Sequence, residues 1–199
     1  MRTAILISGR GSNMRALIAA AAAADYPAEI ALVVSNVETA EGVAFARDAG
    51  IPTKVIAHKS FATREAFDAA VDAALAEARI DLVCLAGFMR IQSDGFVRKW
   101  EGRLLNIHPS LLPAFPGTKV HEQVLAAGMT TSGCTVHFVV PQLDAGPIIA
   151  QASVPVLPGD TPDTLAARVL EQEHRIYPQA LKTLAEGRVV LRDGRAVFV

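Results

Sequence analysis

Short apolar runs alternate with helical periodicity through the first half of the chain. Continuous apolar runs, typical of strands covered on both faces, occupy residues 4–7, 30–34 and 82–86, with a weaker run at 53–57. The stretches between them favour helices over residues 14–24, 39–49 and 61–79. Strands and helices that alternate in this way predict an α/β fold with a doubly wound, mostly parallel, Rossmann-like sheet and right-handed crossovers.

The second half of the chain has a different pattern. Its predicted elements are a strand, a helix, a two-stranded hairpin, a long helix and a small terminal hairpin, at residues 104–108, 120–127, 135–156, 161–186 and 189–199. This mixed C-terminal half follows the parallel half without a charge block, a repeat or a low-complexity linker. We therefore predict one domain over residues 1–199, with a change of role near residue 100.

Composition narrows the classes of function. The 199 residues carry a net charge of −1, which gives no electrostatic reason to expect nucleic acid or an acidic membrane as a partner. Cys84 and Cys134 lie in apolar runs, which indicates buried thiols in a reducing compartment. No apolar stretch is long enough to cross a membrane, and residues 9–13 interrupt the N-terminal apolar run too early for a secretory signal. We predict a cytoplasmic location.

The candidate catalytic residues lie at the end of the apolar run over residues 104–108. Asn106 and His108 are two residues apart, so in a strand both side chains point to one face, and Pro109 ends the strand beside His108. An amide and an imidazole side by side can polarise one carbonyl oxygen. Asp144, at the tip of the predicted hairpin, is the carboxylate that can set the charge of the imidazole or move a proton.

Each of these residues also has an ordinary structural interpretation. A histidine before proline and an aspartate before Ala-Gly are both common turn residues. A metal site is disfavoured, because no zinc spacing is found among His108, His121, Cys134, His137 and Asp144. A serine nucleophile is disfavoured because Ser110 follows a proline and no nucleophile-elbow pattern is present. Acid–base and oxyanion chemistry without a metal remains.

Three further segments suggest ligand contacts. Residues 8–13 form a Gly-rich loop between a strand and a helix, which can present backbone N–H groups to an anion or can simply be a tight turn. Apolar residues 87–91 leave a strand end and can line a pocket for a flat ring, although core packing is the simpler interpretation. Arg64, near a predicted helix start, is by default a solvated side chain.

Several motifs give the chain a family resemblance over essentially its whole length. They are Ile-Ser-Gly-Arg-Gly-Ser-Asn at residues 7–13, Leu-Ala-Gly-Phe-Met-Arg-Ile at 85–91, Asn-Ile-His-Pro-Ser-Leu-Leu-Pro at 106–113, Leu-Asp-Ala-Gly-Pro-Ile at 143–148 and Glu-Gln-Glu-His at 171–174. The chain resembles the folate-dependent formyltransferase superfamily and, within it, the phosphoribosylglycinamide formyltransferases. This resemblance implies a formyltransferase fold and formyl transfer from 10-formyltetrahydrofolate to the amine of glycinamide ribonucleotide in purine biosynthesis.

The resemblance also implies roles for individual residues. Asn106, His108 and Asp144 would be catalytic, and no metal would take part. Residues 1–100 would form the substrate-phosphate half, and residues 101–199 the folate-binding and catalytic half. The phosphate and ribose would contact Gly11, Ser12, Asn13 and Glu173. The folate would contact Arg64, Met89, Arg90, Ile91, Gln92, Val140, Pro141, Gln142 and Leu143.

Two positions depart from the family pattern, and other functions stay open. Leu170 stands where relatives can carry a polar ribose contact, and Gln92 where some carry an aliphatic residue. A formyltetrahydrofolate deformylase would use water instead of the amine and usually has an extra N-terminal domain. A methionyl-tRNA formyltransferase would need an RNA-binding domain and a basic surface. A non-catalytic sugar-phosphate binder could use the same sheet. We expect a monomer or a homodimer.

Overall fold

The N-terminal unit alternates strands with helices. A computed structural model describes all 199 residues, which divide into two compact units, Met1–Leu105 and Asn106–Val199. The strands of the first unit are β1 (Arg2–Ile7), β2 (Glu29–Ser35), β3 (Thr53–Val55) and β4 (Leu82–Leu85). Its helices are α1 (Ser12–Ala21), α2 (Glu41–Asp48), α3 (Arg64–Glu77) and α4 (Asp94–Lys99), with one turn of 3-10 helix at His58–Ser60.

The strands of this unit pair in parallel. β1 pairs with both β2 and β4, and β2 pairs with β3. Every residue of β4 is buried, as is every residue of β1 after Arg2. Burial on both faces explains why these strands are continuous apolar runs in the sequence.

The C-terminal unit has antiparallel strands. β5 (Leu104–His108) contributes its last three residues to this unit. The elements that follow are α5 (Val120–Ala126), β6 (Thr131–Phe138), β7 (Ile148–Pro155), α6 (Pro162–Ala185), β8 (Val189–Arg192) and β9 (Arg195–Phe198). β6 and β7 pair antiparallel, and α6 packs against both. The strand order of the main sheet is β3-β2-β1-β4-β5-β6-β7, and β8 and β9 form a separate pair. The predicted α/β fold, with a mostly parallel sheet and a mixed C-terminal half, is confirmed.

Several element boundaries were predicted wrongly, for local reasons. α1 begins at Ser12, directly after Gly11, whose left-handed backbone is not helical and is readily adopted by glycine. α3 begins at Arg64 because the side chain of Thr63 caps it, accepting the N–H of Ala66 at 3.1 Å. α4 was not predicted, since it is too short to show a helical period. β6 begins at Thr131, because it pairs with β7 from that residue onward.

Two expectations about burial and membranes can be compared with the structure directly. Cys84 and Cys134 are both buried free thiols, as predicted. None of the helices combines the length and the apolar character that a membrane span requires.

Candidate active site

Asn106 and His108 lie on one face of β5, at its C-terminal end. β5 ends at His108, as the following proline predicts. His108 is buried, whereas Asn106 is half-buried. The intervening Ile107 is buried on the opposite side of the strand. The strand thus presents an amide and an imidazole side by side.

Both ring nitrogens of His108 face oxygen atoms. Nε2 lies 2.9 Å from the carbonyl oxygen of Phe115, and Nδ1 lies 3.5 Å from Oδ2 of Asp144. A neutral imidazole has one N–H and would leave one of these oxygens opposite a lone pair. An imidazolium would have an N–H facing each of these oxygens. The ring of His108 therefore lies between a backbone carbonyl and the carboxylate of Asp144.

Asp144 is fixed by the turn in which it lies. Its backbone is left-handed, with φ of 50°, and its side chain is only 7% exposed. Oδ2 accepts the backbone N–H of Gly117 at 2.8 Å. The structure therefore brings the predicted carboxylate to the imidazole across 36 residues of sequence, and it adds a backbone donor that the sequence did not indicate.

His137 is a fourth polar residue of this cluster. Its Nδ1–H donates to the carbonyl of Phe138 at 2.8 Å, which leaves Nε2 to accept from Nδ2 of Asn106 at 3.3 Å. Burial lowers the pKa of His137, against the opposing effects of the Phe138 carbonyl and of Asp144. A neutral His137 thus orients the Asn106 amide and leaves its second N–H for another acceptor. The sequence pattern suggests only a metal-ligand role for His137; its position shortly before the Asp144 turn is the one signal for a role in this cluster.

Gly146 explains part of the motif around Asp144. A Cβ at this position would lie 1.7 Å from the carbonyl oxygen of Phe138 and 3.2 Å from Nδ1 of His137. That same carbonyl accepts the His137 Nδ1–H. Only glycine allows the turn to approach so closely, so Gly146 and the His137 tautomer depend on the same backbone contact.

A buried hydroxyl shapes the loop that supplies the Phe115 carbonyl. Thr135 Oγ1 donates to the carbonyl of Ser110 at 2.7 Å and accepts the N–H of Leu112 at 3.1 Å. Gln151 Nε2 donates to Thr135 Oγ1 and to the carbonyl of Leu112, both at 2.9 Å. Ser110 Oγ donates to the carbonyl of Ala114 at 2.6 Å and lies 3.2 Å from the carbonyl oxygen of Phe115. These contacts fix the loop through strands β6 and β7.

The remaining titratable groups of this unit do not form a metal centre. The structure contains no group of three or more histidine, cysteine, aspartate or glutamate side chains placed to bind a metal ion. Burial, and then the charge of Glu173, raises the pKa of Cys134 to about 12. Cys134 is therefore a neutral thiol at physiological pH, unsuited to act as a nucleophile.

The Gly-rich loop of the N-terminal unit leads directly into α1. Gly11 is the N-cap of α1, so Ser12 and Asn13 belong to its first turn, where backbone N–H groups have no acceptor within the helix. Gly9 and Arg10 are exposed, and Ser12 is half-buried. The loop thus has the strand–loop–helix form that suits an anion.

The segment after β4 is less buried than core packing requires. The side chains of Met89 and Ile91 are 69% and 56% exposed, so the interpretation of residues 87–91 as core is wrong for these two. Met89 N–H donates to Ser8 Oγ at 2.8 Å, and the buried Gln92 donates to the carbonyl of Arg90 at 2.7 Å. These hydrogen bonds hold the segment that carries the two exposed apolar side chains in a defined backbone shape.

The other predicted contact residues are spread over both units. Arg64 is exposed and lines a groove of about 490 Å³ between α3 and α4. In the C-terminal unit, Val140 is half-buried, whereas Pro141, Gln142 and Leu143 are exposed. Glu173 on α6 is buried, and Leu170, one turn earlier, is half-buried. Their contacts with ligands stay predictions.

Two histidines with lowered pKa values predict an acid-sensitive fold. Burial lowers the pKa of His137 and of His174 below the ordinary value of 6.5. Below that value the unfolded chain takes up protons that the folded chain does not, so stability is present above about pH 6.5 and declines on acidification. We expect the free energy of unfolding, measured by urea titration, to fall between about pH 7.5 and about pH 5.5. His137→Gln and His174→Gln should each reduce that slope; an unchanged slope in both variants would contradict the assignment.

Comparison with known proteins places this geometry in a family. The sequence profile described as Formyl transferase matches residues 1–181. The chain belongs to the formyl transferase family. The Escherichia coli (strain K12) phosphoribosylglycinamide formyltransferase is 45% identical, with 98% of this chain and 92% of that protein covered.

A longer relative and a solved structure are also similar to this member of the formyl transferase family. The Bos taurus trifunctional purine biosynthetic protein adenosine-3 is 54% identical over 199 residues, which is 100% of this chain but only 20% of that protein. The crystal structure of glycinamide ribonucleotide transformylase 1 from Symbiobacterium toebii superposes with a TM-score of 0.97 at 44% identity, covering 100% of this chain and 94% of that one. The formyltransferase fold expected from the sequence is therefore confirmed.

Proposed function

We propose that this chain transfers the formyl group of 10-formyltetrahydrofolate to the amine of N1-(5-phospho-D-ribosyl)glycinamide. The products are formylglycinamide ribonucleotide and tetrahydrofolate, in the cytoplasmic synthesis of purines. The observation that carries the proposal is the cluster at the end of β5, where His108 faces Asp144 and Asn106 is oriented by His137. The names of the family and of its full-length relatives support the choice of substrates.

The reaction needs a site for a developing negative charge. The amine lone pair attacks the formyl carbon, a C–N bond forms, and the formyl oxygen becomes an oxyanion. The bond to N10 of the folate then breaks, and the proton lost by the amine goes to that nitrogen. In this proposal the second N–H of Asn106 and the positive charge of His108 stabilise the oxyanion, and Asp144 assists the proton transfer.

His108 must change partner to act as a direct donor. In this structure its Nε2 is hydrogen-bonded to the carbonyl oxygen of Phe115. To donate to the formyl oxygen, Nε2 must give up the Phe115 carbonyl and take the formyl oxygen as its acceptor. Such an exchange loses no hydrogen bond on the imidazolium. Asp144, held by the backbone N–H of Gly117, stays opposite Nδ1 of His108 while Nε2 changes partner.

Substrate binding is assigned to the segments that the resemblance implies. The loop Gly11, Ser12 and Asn13 binds the phosphate through backbone N–H groups, and Glu173 contacts the ribose. The exposed apolar side chains of Met89, Ile91 and Leu143 support contacts with the flat pterin. Arg90, Gln92 and residues 140–142 complete that contact, and Arg64 binds the glutamate tail of the folate.

A two-substrate assay tests the proposal directly. Tetrahydrofolate release from 10-formyltetrahydrofolate, followed by absorbance, is expected only when glycinamide ribonucleotide is supplied, and formylated ribonucleotide should form in equal amount. Release at the same rate in buffer alone would identify a deformylase, in which water replaces the amine. Binding of the ribonucleotide without any folate turnover would identify a non-catalytic sugar-phosphate binder.

A further inference from the structure

Gly42, at the start of α2, contacts the Gly-rich loop through its backbone. Its N–H donates to the carbonyl of Gly9 at 3.1 Å. Because a trans peptide holds its C=O and N–H in opposite directions, the N–H of Arg10 then points away from α2. The contact therefore sets the direction of a donor in the loop that we assign to the phosphate.

The approach of α2 to this loop leaves no room for a side chain. A Cβ at Gly42 would lie 2.6 Å from Cδ1 of Ile7, 3.1 Å from the carbonyl oxygen of Gly9 and 3.4 Å from Cα of Gly11. A Cβ at Gly11 would in turn lie 3.2 Å from Cα of Gly42. The Ile7 atom is the end of a buried side chain, whereas the Gly9 and Gly11 atoms belong to the backbone of the loop. A methyl group at position 42 must displace one or the other.

We propose that Gly42 is a positioning residue for the phosphate of the ribonucleotide substrate. It touches no substrate; it acts by holding the Gly9–Arg10 peptide and Gly11 in the conformation that aims the loop N–H groups outward. The inference rests on the proposed function of the loop.

Substitution of Gly42 by alanine tests this role in the full-length enzyme. We expect the KM for glycinamide ribonucleotide, and the inhibition constant of inorganic phosphate against it, to rise together by roughly tenfold or more, because small displacements of binding groups have large effects. The kcat and the KM for 10-formyltetrahydrofolate should stay within about twofold, as expected when only binding of one substrate is weakened.

Two further variants make the result decisive. Gly95→Ala is the matched control, because a Cβ at Gly95, in α4, meets nothing within 4 Å. Ile7→Val combined with Gly42→Ala removes the clash between the new methyl group and Cδ1 of Ile7, and it leaves the close contact with the Gly9 carbonyl oxygen. This double variant can therefore be measured if Gly42→Ala alone folds poorly. The double variant should keep the phosphate defect while recovering thermal stability.

The possible outcomes separate this inference from the proposed function. An unchanged KM for the ribonucleotide in both Gly42 variants would overturn the inference, as would a parallel loss of all kinetic parameters that follows thermal stability. A wild-type enzyme that transfers no formyl group would instead overturn the proposed function. In that case weaker calorimetric binding of inorganic phosphate to Gly42→Ala than to Gly95→Ala would still support the positioning role, and equal binding would refute it.

Discussion

Replacing His108 by alanine is expected to lower kcat by roughly 10²- to 10⁴-fold, the range seen when a general acid–base or an oxyanion donor is removed. The variant loses the positive charge beside the formyl oxygen and leaves Asp144 without its imidazole partner. Binding of glycinamide ribonucleotide should persist, because the phosphate loop belongs to a different unit of the chain. Single-turnover formyl transfer, with calorimetric binding of the ribonucleotide, measures both quantities.

His108→Gln separates the charge from the hydrogen bond. The glutamine amide can still donate to the Phe115 carbonyl, but it carries no charge. If the charge is what matters, this variant should be nearly as slow as His108→Ala, while its thermal stability stays closer to wild type. Turnover at the wild-type rate in either variant, or loss of ribonucleotide binding by a folded His108→Ala protein, would contradict the role of His108.

The parts of the site that follow from local sequence were predictable. Pairing of Asn106 and His108 on one face needs only the period of a strand and a proline that ends it. The fold class follows from the apolar runs that alternate with helical segments in the first half. Strands β1 and β4 are buried on both faces, and their residues are therefore almost all apolar. The convergence of Asp144 on His108 was a geometric prediction, and the structure brings the two together.

The parts that depend on tertiary contacts were not predictable from the pattern. Gly117 and Phe115 serve the site through backbone atoms, which no side-chain pattern encodes. His137 has its role because burial keeps it neutral and the Phe138 carbonyl selects its tautomer. The composition around Met89 left both core packing and a ligand contact open, because a surface for a flat ligand and a core can share the same apolar composition; the structure shows Met89 exposed. Element boundaries failed where a side-chain cap, such as Thr63, decided the first residue.

Asp144→Asn is expected to lower kcat by roughly 10²- to 10³-fold, since it removes the charge that favours the imidazolium of His108 and the group that assists proton transfer. Asparagine is the informative replacement, because its side-chain oxygen can still accept the N–H of Gly117 and so preserve the turn. The KM values for both substrates should change little, since the carboxylate acts on the transition state more than on binding. Steady-state kinetics with each substrate varied in turn measures this separation.

Asp144→Ala is the partner experiment, because it removes both the charge and the acceptor for Gly117. An additional loss of thermal stability is expected only in this variant, from the unpaired backbone donor and the left-handed φ of 50° that alanine tolerates poorly. If the two variants lose the same activity but differ in stability, the carboxylate acts in the chemistry and the turn is secondary. If Asp144→Asn is fully active and only Asp144→Ala is impaired, Asp144 is a structural residue of its turn, and the charge of His108 must be maintained in another way.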